Sequence, residues 1–121
     1  MQRGNDVTTP PDPNERTRLV AAAAIDAKAL DVVALDVREL TSFADSFVLA
    51  TGTSDRHVRS VADSVVEAGK AAGNPPLGVE GYEDGRWVLI DLNDVVVHVF
   101  QTELREHYDL DRLWADAKIV K

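Results

Sequence analysis

Cysteine is absent from the 121-residue sequence, which therefore has no disulfide framework, no thiolate nucleophile and no cysteine-ligated zinc. No apolar run comes near the roughly 20 residues that a membrane-spanning helix needs. Residues 1–15 also lack the apolar segment of a signal peptide. These absences predict a cytoplasmic protein without a membrane anchor.

Basic residues are scarce as well. Lysine and arginine number 13 against 21 aspartates and glutamates, so the net charge is −8. A protein that grips nucleic acid by its phosphates usually carries a basic surplus, so direct sequence-specific binding of DNA or RNA is not expected. Residues 77–98 hold five acidic side chains and one arginine. Such a segment suits a basic partner by steering and complementarity, although acidic residues equally keep a protein soluble.

The segment with the strongest strand signal is RWVLIDLNDVVVHVF, from Arg86 to Phe100. Trp87–Asp91 and Val95–Phe100 are dense in the β-branched, aromatic and aliphatic residues that strands favour. Asn93 tolerates a left-handed backbone between them, so the segment predicts a β-hairpin. Neither run alternates cleanly between apolar and polar residues, which predicts that most of the hairpin is covered on both faces.

The sequence before the hairpin predicts a helix, two strands, a second helix and a short strand. Residues 1–11 are polar, contain prolines and show no periodicity, so we expect a disordered or flexible tail before a single domain at 12–121. Asp12, Pro13 and Glu15 form a helix start signal for a helix from about Pro13 to Ala29. The remaining predicted elements before the hairpin are strands at Val32–Val37 and Phe47–Thr51, a valine-striped helix from the Gly52 turn to Ala72, and a strand at Leu77–Glu80.

Thr102 can cap a short helix that ends near Tyr108, and Leu110–Val120 shows helical spacing for a last turn or two. The strand, helix and strand from Phe47 to Glu80 predict a right-handed β-α-β crossover with parallel strands. The full order is α-β-β-α-β-β-β-α. It predicts an α/β fold, with a mixed β-sheet of about five strands flanked by helices.

The turn T-G-T-S at Thr51–Ser54 resembles the glycine-serine turn of nucleotidyltransferases, where backbone N–H groups hold a triphosphate. Those enzymes also need two aspartates two residues apart on a strand, so that both share one magnesium ion. Asp91 and Asp94, beside the predicted hairpin turn, are three residues apart, and Asp109 and Asp111 have the right spacing but lie outside any predicted strand. We therefore predict no catalytic residues and no enzyme activity, and the alternative is a nucleotidyltransferase or nucleotide-binding enzyme that uses the Gly52 turn.

The three histidines, His57, His98 and His107, do not fall at the spacing of a helical metal pair. No metal site and no cofactor are predicted. His98 lies between valines on a predicted strand, which favours a ring tucked into the sheet surface beside a carboxylate or carbonyl. Ser54 precedes the second helix and is predicted to cap it.

Five blocks of the sequence, in order, resemble the ribosomal silencing factor family, also called Iojap-like proteins. They are ALDV (34–37), ADSFVLATGTSDRHV (44–58), PLGVEG (76–81), WVLIDLNDVVVHVF (87–100) and REHYDLDRLW (105–114). The chain departs from the family at Ser46, where an aromatic residue is commoner, and at Asn93, where glycine is usual. The resemblance implies an α/β domain of nucleotidyltransferase-like topology without the catalytic carboxylates.

The resemblance also implies a function. Family members bind the large ribosomal subunit through the fourteenth protein of the universal large-subunit set, and so block joining of the small subunit when nutrients are short. Assembly of the large subunit is a second function compatible with the same docking. The implied repression mechanism is steric and requires no bond to be made or broken.

The predicted contact face for a basic ribosomal protein is built around the hairpin. Trp87 is the predicted anchor, because tryptophan is enriched among binding hot spots, although a core role at a strand start is the alternative. The other predicted contacts are Glu80, Asp91, Asn93, Asp94 and His98. An apolar set near the end of the chain either covers the sheet or forms a homodimer contact: Tyr108, Leu113 and Trp114.

Overall fold

A computed structural model of the protein describes residues 14–108, 112 and 115–120, without the side chains of His107 and Tyr108. The predicted tail at residues 1–11 lies outside the described residues. So do Leu113 and Trp114. The predicted homodimer contact of these two residues with Tyr108 therefore stays a prediction.

The described residues form three helices and six strands. The helices are α1 (Glu15–Asp26), α2 (Asp55–Ala71) and α3 (Thr102–Tyr108). The strands are β1 (Leu30–Asp36), β2 (Ser46–Gly52), β3 (Gly78–Glu80), β4 (Trp87–Asp91), β5 (Val95–Gln101) and β6 (Lys118–Ile119). The predicted α/β class and mixed sheet are confirmed.

The sixth strand corrects the prediction of about five. Lys118 and Ile119 were predicted as part of a helical turn, but they pair antiparallel with Asp36 and Leu35 of β1. A strand of two residues is too short to show a period of its own. It forms because the edge of β1 offers it backbone partners.

All six strands form one sheet in the order β3-β4-β5-β2-β1-β6. Only β2 and β5 pair in parallel, while the other four pairings are antiparallel. These pairings make β3 run in the same direction as β2, as the predicted crossover requires. However, β4 and β5 lie between them, because the valine-rich β5 is apolar enough for a central position that is buried on both faces.

Helix α1 starts later and ends earlier than predicted. Asn14 is its N-cap and makes no side-chain capping bond, and the helix starts two residues after the predicted Pro13, while the predicted cap, Asp12, lies outside the described residues. The helix ends at Asp26, and Lys28 then turns the chain with a φ of 69°. For α2 the predicted cap is confirmed, because Ser54 Oγ accepts a hydrogen bond from the His57 backbone N–H at 3.0 Å.

Helices α1 and α2 cover one face of the sheet and form the larger core there. The apolar stripe of each helix packs against every second residue of the strands, because alternate side chains of a strand point to the same face. The cluster comprises Val20, Ala24, Val48, Ala50, Val58, Val61, Ala62, Val65, Val88, Ile90, Leu92, Val95, Val97 and Val99. None of the described helices is long and apolar enough to cross a lipid bilayer.

The opposite face of the sheet is only partly covered. A second core cluster includes Phe47, Leu49 and Phe100, and Leu104 of α3 packs against it. No described helix packs over β4 on this face, so its residues alternate between buried ones and exposed or half-buried ones. The prediction that both faces of the hairpin are covered is therefore wrong for β4. The left-handed turn is confirmed, because Asn93 has a φ of 80°.

Candidate functional site

An exposed tryptophan marks the uncovered part of the sheet. Trp87 and Leu89 alternate with the buried Val88 on β4, so they point away from α1 and α2. Glu80 pairs with Leu89 across the β3–β4 ladder and shares its face. Together with Gly81, these side chains line a shallow depression, and 38% of Trp87 is exposed. We call Glu80, Trp87, Leu89 and His98 the Trp87 face.

Aromatic rings continue from Trp87 toward the β1–β2 loop. The His98 ring lies 6.0 Å from the Trp87 ring and 5.1 Å from that of Phe47, centroid to centroid. Phe43 follows at 6.1 Å from Phe47 and is 69% exposed. Neither phenylalanine was predicted as a site residue. The available signal was a large apolar side chain, Phe43, in an otherwise polar link.

His98 occupies the middle of this face. It pairs with Leu89 on one side and Leu49 on the other. Its Nδ1 accepts a hydrogen bond from the Trp87 indole N–H at 3.2 Å, so a neutral His98 carries its proton on Nε2. The predicted partner was a carboxylate or carbonyl, and the structure places the indole there instead. Burial lowers the pKa of His98 from 6.5 to about 4.

The low pKa of His98 predicts acid sensitivity of the fold. Below pH 6.5 the unfolded chain gains a proton at His98 that the folded chain resists until about pH 4, so stability falls as the pH falls across this window. We expect this histidine to account for a loss of about 3 kcal/mol between pH 7 and pH 4. Urea unfolding of wild type and His98→Asn at both pH values measures it. Equal losses in the two proteins would contradict the prediction.

The predicted acidic contacts do not form one cluster. Asp91 Oδ1 accepts a hydrogen bond from the Asn93 backbone N–H at 2.8 Å, and Asp94 forms an ion pair with Arg16 of α1 at 2.8 Å. Both carboxylates lie near the β4–β5 turn. Along β4, Asp91 is four residues from Trp87, a distance of roughly 13 Å. Of the predicted acids, only Glu80 adjoins Trp87.

The Gly52 turn is filled by protein groups. The Thr53 backbone N–H donates to His57 Nδ1 at 3.0 Å, while His57 Nε2 lies 3.2 Å from the Ala27 carbonyl oxygen. A Cβ at Gly52 would come within 2.8 Å of the Val58 side chain. The glycine therefore allows close packing of β2 against α2. The Thr53 backbone N–H at this turn is already bonded within the protein.

Side chains of metal-binding type do not converge in groups of three anywhere in residues 14–108, 112 and 115–120. His57 lies on α2 and His98 lies on the opposite face of the sheet, so these two rings are kept apart. Two of the three histidines thus have separate structural surroundings. The chemistry available on the Trp87 face is apolar contact, one carboxylate and one imidazole.

Comparisons with known proteins agree with this architecture. Residues 10–121 match the model of the family described as "Ribosomal silencing factor during starvation". The chain is 39% identical to ribosomal silencing factor RsfS of Bacillus subtilis over 103 residues, which cover 85% of this chain and 87% of that protein. It is 30% identical to mouse "Mitochondrial assembly of ribosomal large subunit protein 1" over 89 residues, covering 71% of this chain and 39% of the mouse protein.

A solved structure shows the same fold. The crystal structure of a Chromobacterium violaceum protein superposes with a TM-score of 0.83 at 41% sequence identity, covering 87% of this chain and 88% of that one. The family match spans nearly the whole sequence, and the bacterial relative is similar over most of its own length. The chain therefore belongs to the ribosomal silencing factor family.

Proposed function

We propose that the protein represses translation by binding the large ribosomal subunit and blocking attachment of the small subunit. Membership of the silencing factor family supports this function. The observation that carries the proposal is the exposed Trp87 in a depression on the uncovered part of the sheet. A large aromatic side chain held partly in solvent is a typical anchor for a protein partner.

The proposed partner on the subunit is a basic ribosomal protein, and the family resemblance points to the fourteenth universal large-subunit protein. Glu80 beside Trp87 supplies a carboxylate for a lysine or arginine, while the net charge of −8 favours approach to a basic surface. Trp87 and Leu89 supply the apolar contact. The proposed location of this function is the cytoplasm.

The proposed mechanism is steric and needs no catalytic step. The Gly52 turn, the feature most similar to an enzyme site, has its Thr53 N–H bonded to His57. The carboxylates of Asp91 and Asp94 are engaged by Asn93 and Arg16. These contacts favour a domain that occupies a docking surface over one that transfers nucleotides.

Subunit association measures the proposed function directly. Purified large and small subunits are mixed at a magnesium concentration that joins them, with and without prior incubation of the large subunit with the protein. We expect light scattering and sucrose gradients to show separate subunits, with the protein in the large-subunit fraction. Complete joining of protein-bound large subunits would overturn the proposal.

Assembly of the large subunit is the second candidate function, since the mouse relative is named for mitochondrial assembly of that subunit. Ribosome profiles of cells with and without the protein separate the two functions. Repression predicts more joined ribosomes in starved cells that lack the protein. Assembly predicts immature large-subunit particles in those cells.

Glu80→Lys is expected to slow association with the large subunit roughly 3- to 10-fold, because an exposed rim charge acts mainly on the rate of encounter. Glu67→Lys, on an exposed position of α2, makes the same change in net charge behind the sheet. Surface plasmon resonance at two salt concentrations measures both variants. Equal association rates for the two variants would show that the effect is one of net charge alone.

A further inference from the structure

We propose that His98 is a positioning residue that holds the Trp87 indole in the orientation that the partner binds. The inference rests on the proposed function, since it concerns how the anchor of that docking surface is held. In this role His98 affects binding by holding Trp87 and does not itself contact the partner.

The geometry that supports this role is the bond between the two side chains. Trp87 pairs with Phe100 across the β4–β5 ladder, and His98 lies one pleat further along the same face. From there Nδ1 accepts the indole N–H at 3.2 Å, with the two rings tilted by 53°. Tryptophan has a single polar hydrogen, so this bond selects among the rotamers of the indole.

The acceptor itself is held by core rings that lie beside it on the same face of the sheet. The Phe100 ring is nearly parallel to His98 at 6.0 Å, and the Phe47 ring meets it edge-on at 5.1 Å. Both phenylalanines are almost fully buried. The imidazole therefore has packed rings against it and cannot follow the indole if the indole rotates.

A fixed acceptor changes what binding requires of Trp87. An exposed side chain that is free to rotate must lose that freedom when a partner closes on it, which weakens association. An indole already held by His98 and by the Phe100 ring, 5.2 Å away, has lost much of that freedom in the unbound protein. The low pKa of His98 keeps Nδ1 available as an acceptor at neutral pH.

Three substitutions test the role, because the two amides each mimic one nitrogen of the imidazole. Asparagine in His98→Asn places an oxygen near the position of Nδ1, so it retains an acceptor for the indole. His98→Gln reaches the position of Nε2 instead, and His98→Leu fills the volume without an acceptor. We expect His98→Asn to bind the large subunit within about threefold of wild type, and the other two to bind roughly 10-fold more weakly.

The indole N–H signal provides a readout independent of binding. In a Trp114→Phe background, a 15N-labelled protein has one indole resonance, that of Trp87. We expect its shift and its slow hydrogen exchange to persist in His98→Asn and to be lost in His98→Gln and His98→Leu. An unchanged resonance together with unchanged binding in His98→Leu would overturn the inference, and so would equal weakening in His98→Asn and His98→Leu.

The failure of this inference is distinguishable from failure of the proposed function. If the subunits join normally in the presence of the protein, the proposed function fails whatever the His98 variants do. If the protein blocks joining and the His98 variants all bind like wild type, only the positioning role is lost. Circular dichroism of each variant checks that the variant is folded before its binding is compared with that of wild type.

Discussion

Replacing Trp87 with alanine is expected to weaken binding to the large ribosomal subunit roughly 30-fold or more, the range of a central hot-spot residue. The side chain provides the largest exposed apolar area in the depression that it lines with Glu80 and Leu89. The fold should tolerate the change, because 38% of the residue is already in solvent and the helix-side core does not contain it. Equilibrium binding to purified large subunits measures the effect.

Tyr82→Ala is the matched control. Tyr82 is also 38% exposed, but its hydroxyl donates to Asp63 of α2, on the helix side of the sheet. We expect this variant to bind like wild type. If Trp87→Ala stays folded and binds as tightly as Tyr82→Ala, Trp87 is not the anchor and the contact surface lies elsewhere.

Gly81→Ala is expected to cost at least about 3 kcal/mol in the free energy of unfolding, a loss at the upper end of the usual range for a single substitution. Gly81 has a φ of 79°, and a Cβ there would lie 2.1 Å from the carbonyl oxygen of Trp87. The backbone at Gly81 or at Trp87 must move to admit the methyl group. Because the clash involves the backbone of Trp87, large-subunit binding should fall as well.

Two other glycines separate the causes of that loss. Gly73 has the same φ of 79° with nothing within 4 Å of its Cβ position, so Gly73→Ala reports the backbone conformation alone, about 1 to 2 kcal/mol. Gly78, on β3, has neither constraint, and Gly78→Ala should change stability by less than about 0.5 kcal/mol. Urea unfolding measures all three variants. A Gly81→Ala protein as stable as Gly73→Ala would contradict the steric explanation.

Local signals in the sequence predicted the elements whose causes are local. The valine stripe and the Ser54 cap defined α2, and Asn93 defined the turn of the hairpin, because helix spacing and left-handed tolerance are properties of neighbouring residues. The α/β class followed from the order of these elements. The start signal at Asp12 and Pro13 predicted the start of α1 two residues too early, since Asn14 is the N-cap.

Features that depend on distant parts of the chain could not be predicted in the same way. Asp94 stays a predicted partner contact, and its ion pair with Arg16, 78 residues away in the sequence, could not be predicted from local pattern. The Trp87 face depends on which side of the sheet the helices cover, and no pattern within β4 specifies that. Phe43 and Phe47 join the site only because β2 lies beside β5.

The single parallel pairing between β2 and β5 has a consequence for the order in which the protein folds. Strands β1 and β2, like β4 and β5, are near in sequence and can meet early, whereas β2 and β5 are separated by the long segment from Thr53 to Asp94. Closing that loop loses chain entropy before the central contacts form, so it is expected to limit the folding rate. During synthesis, β2 therefore has an unpaired inner edge until Gln101 has emerged from the exit tunnel.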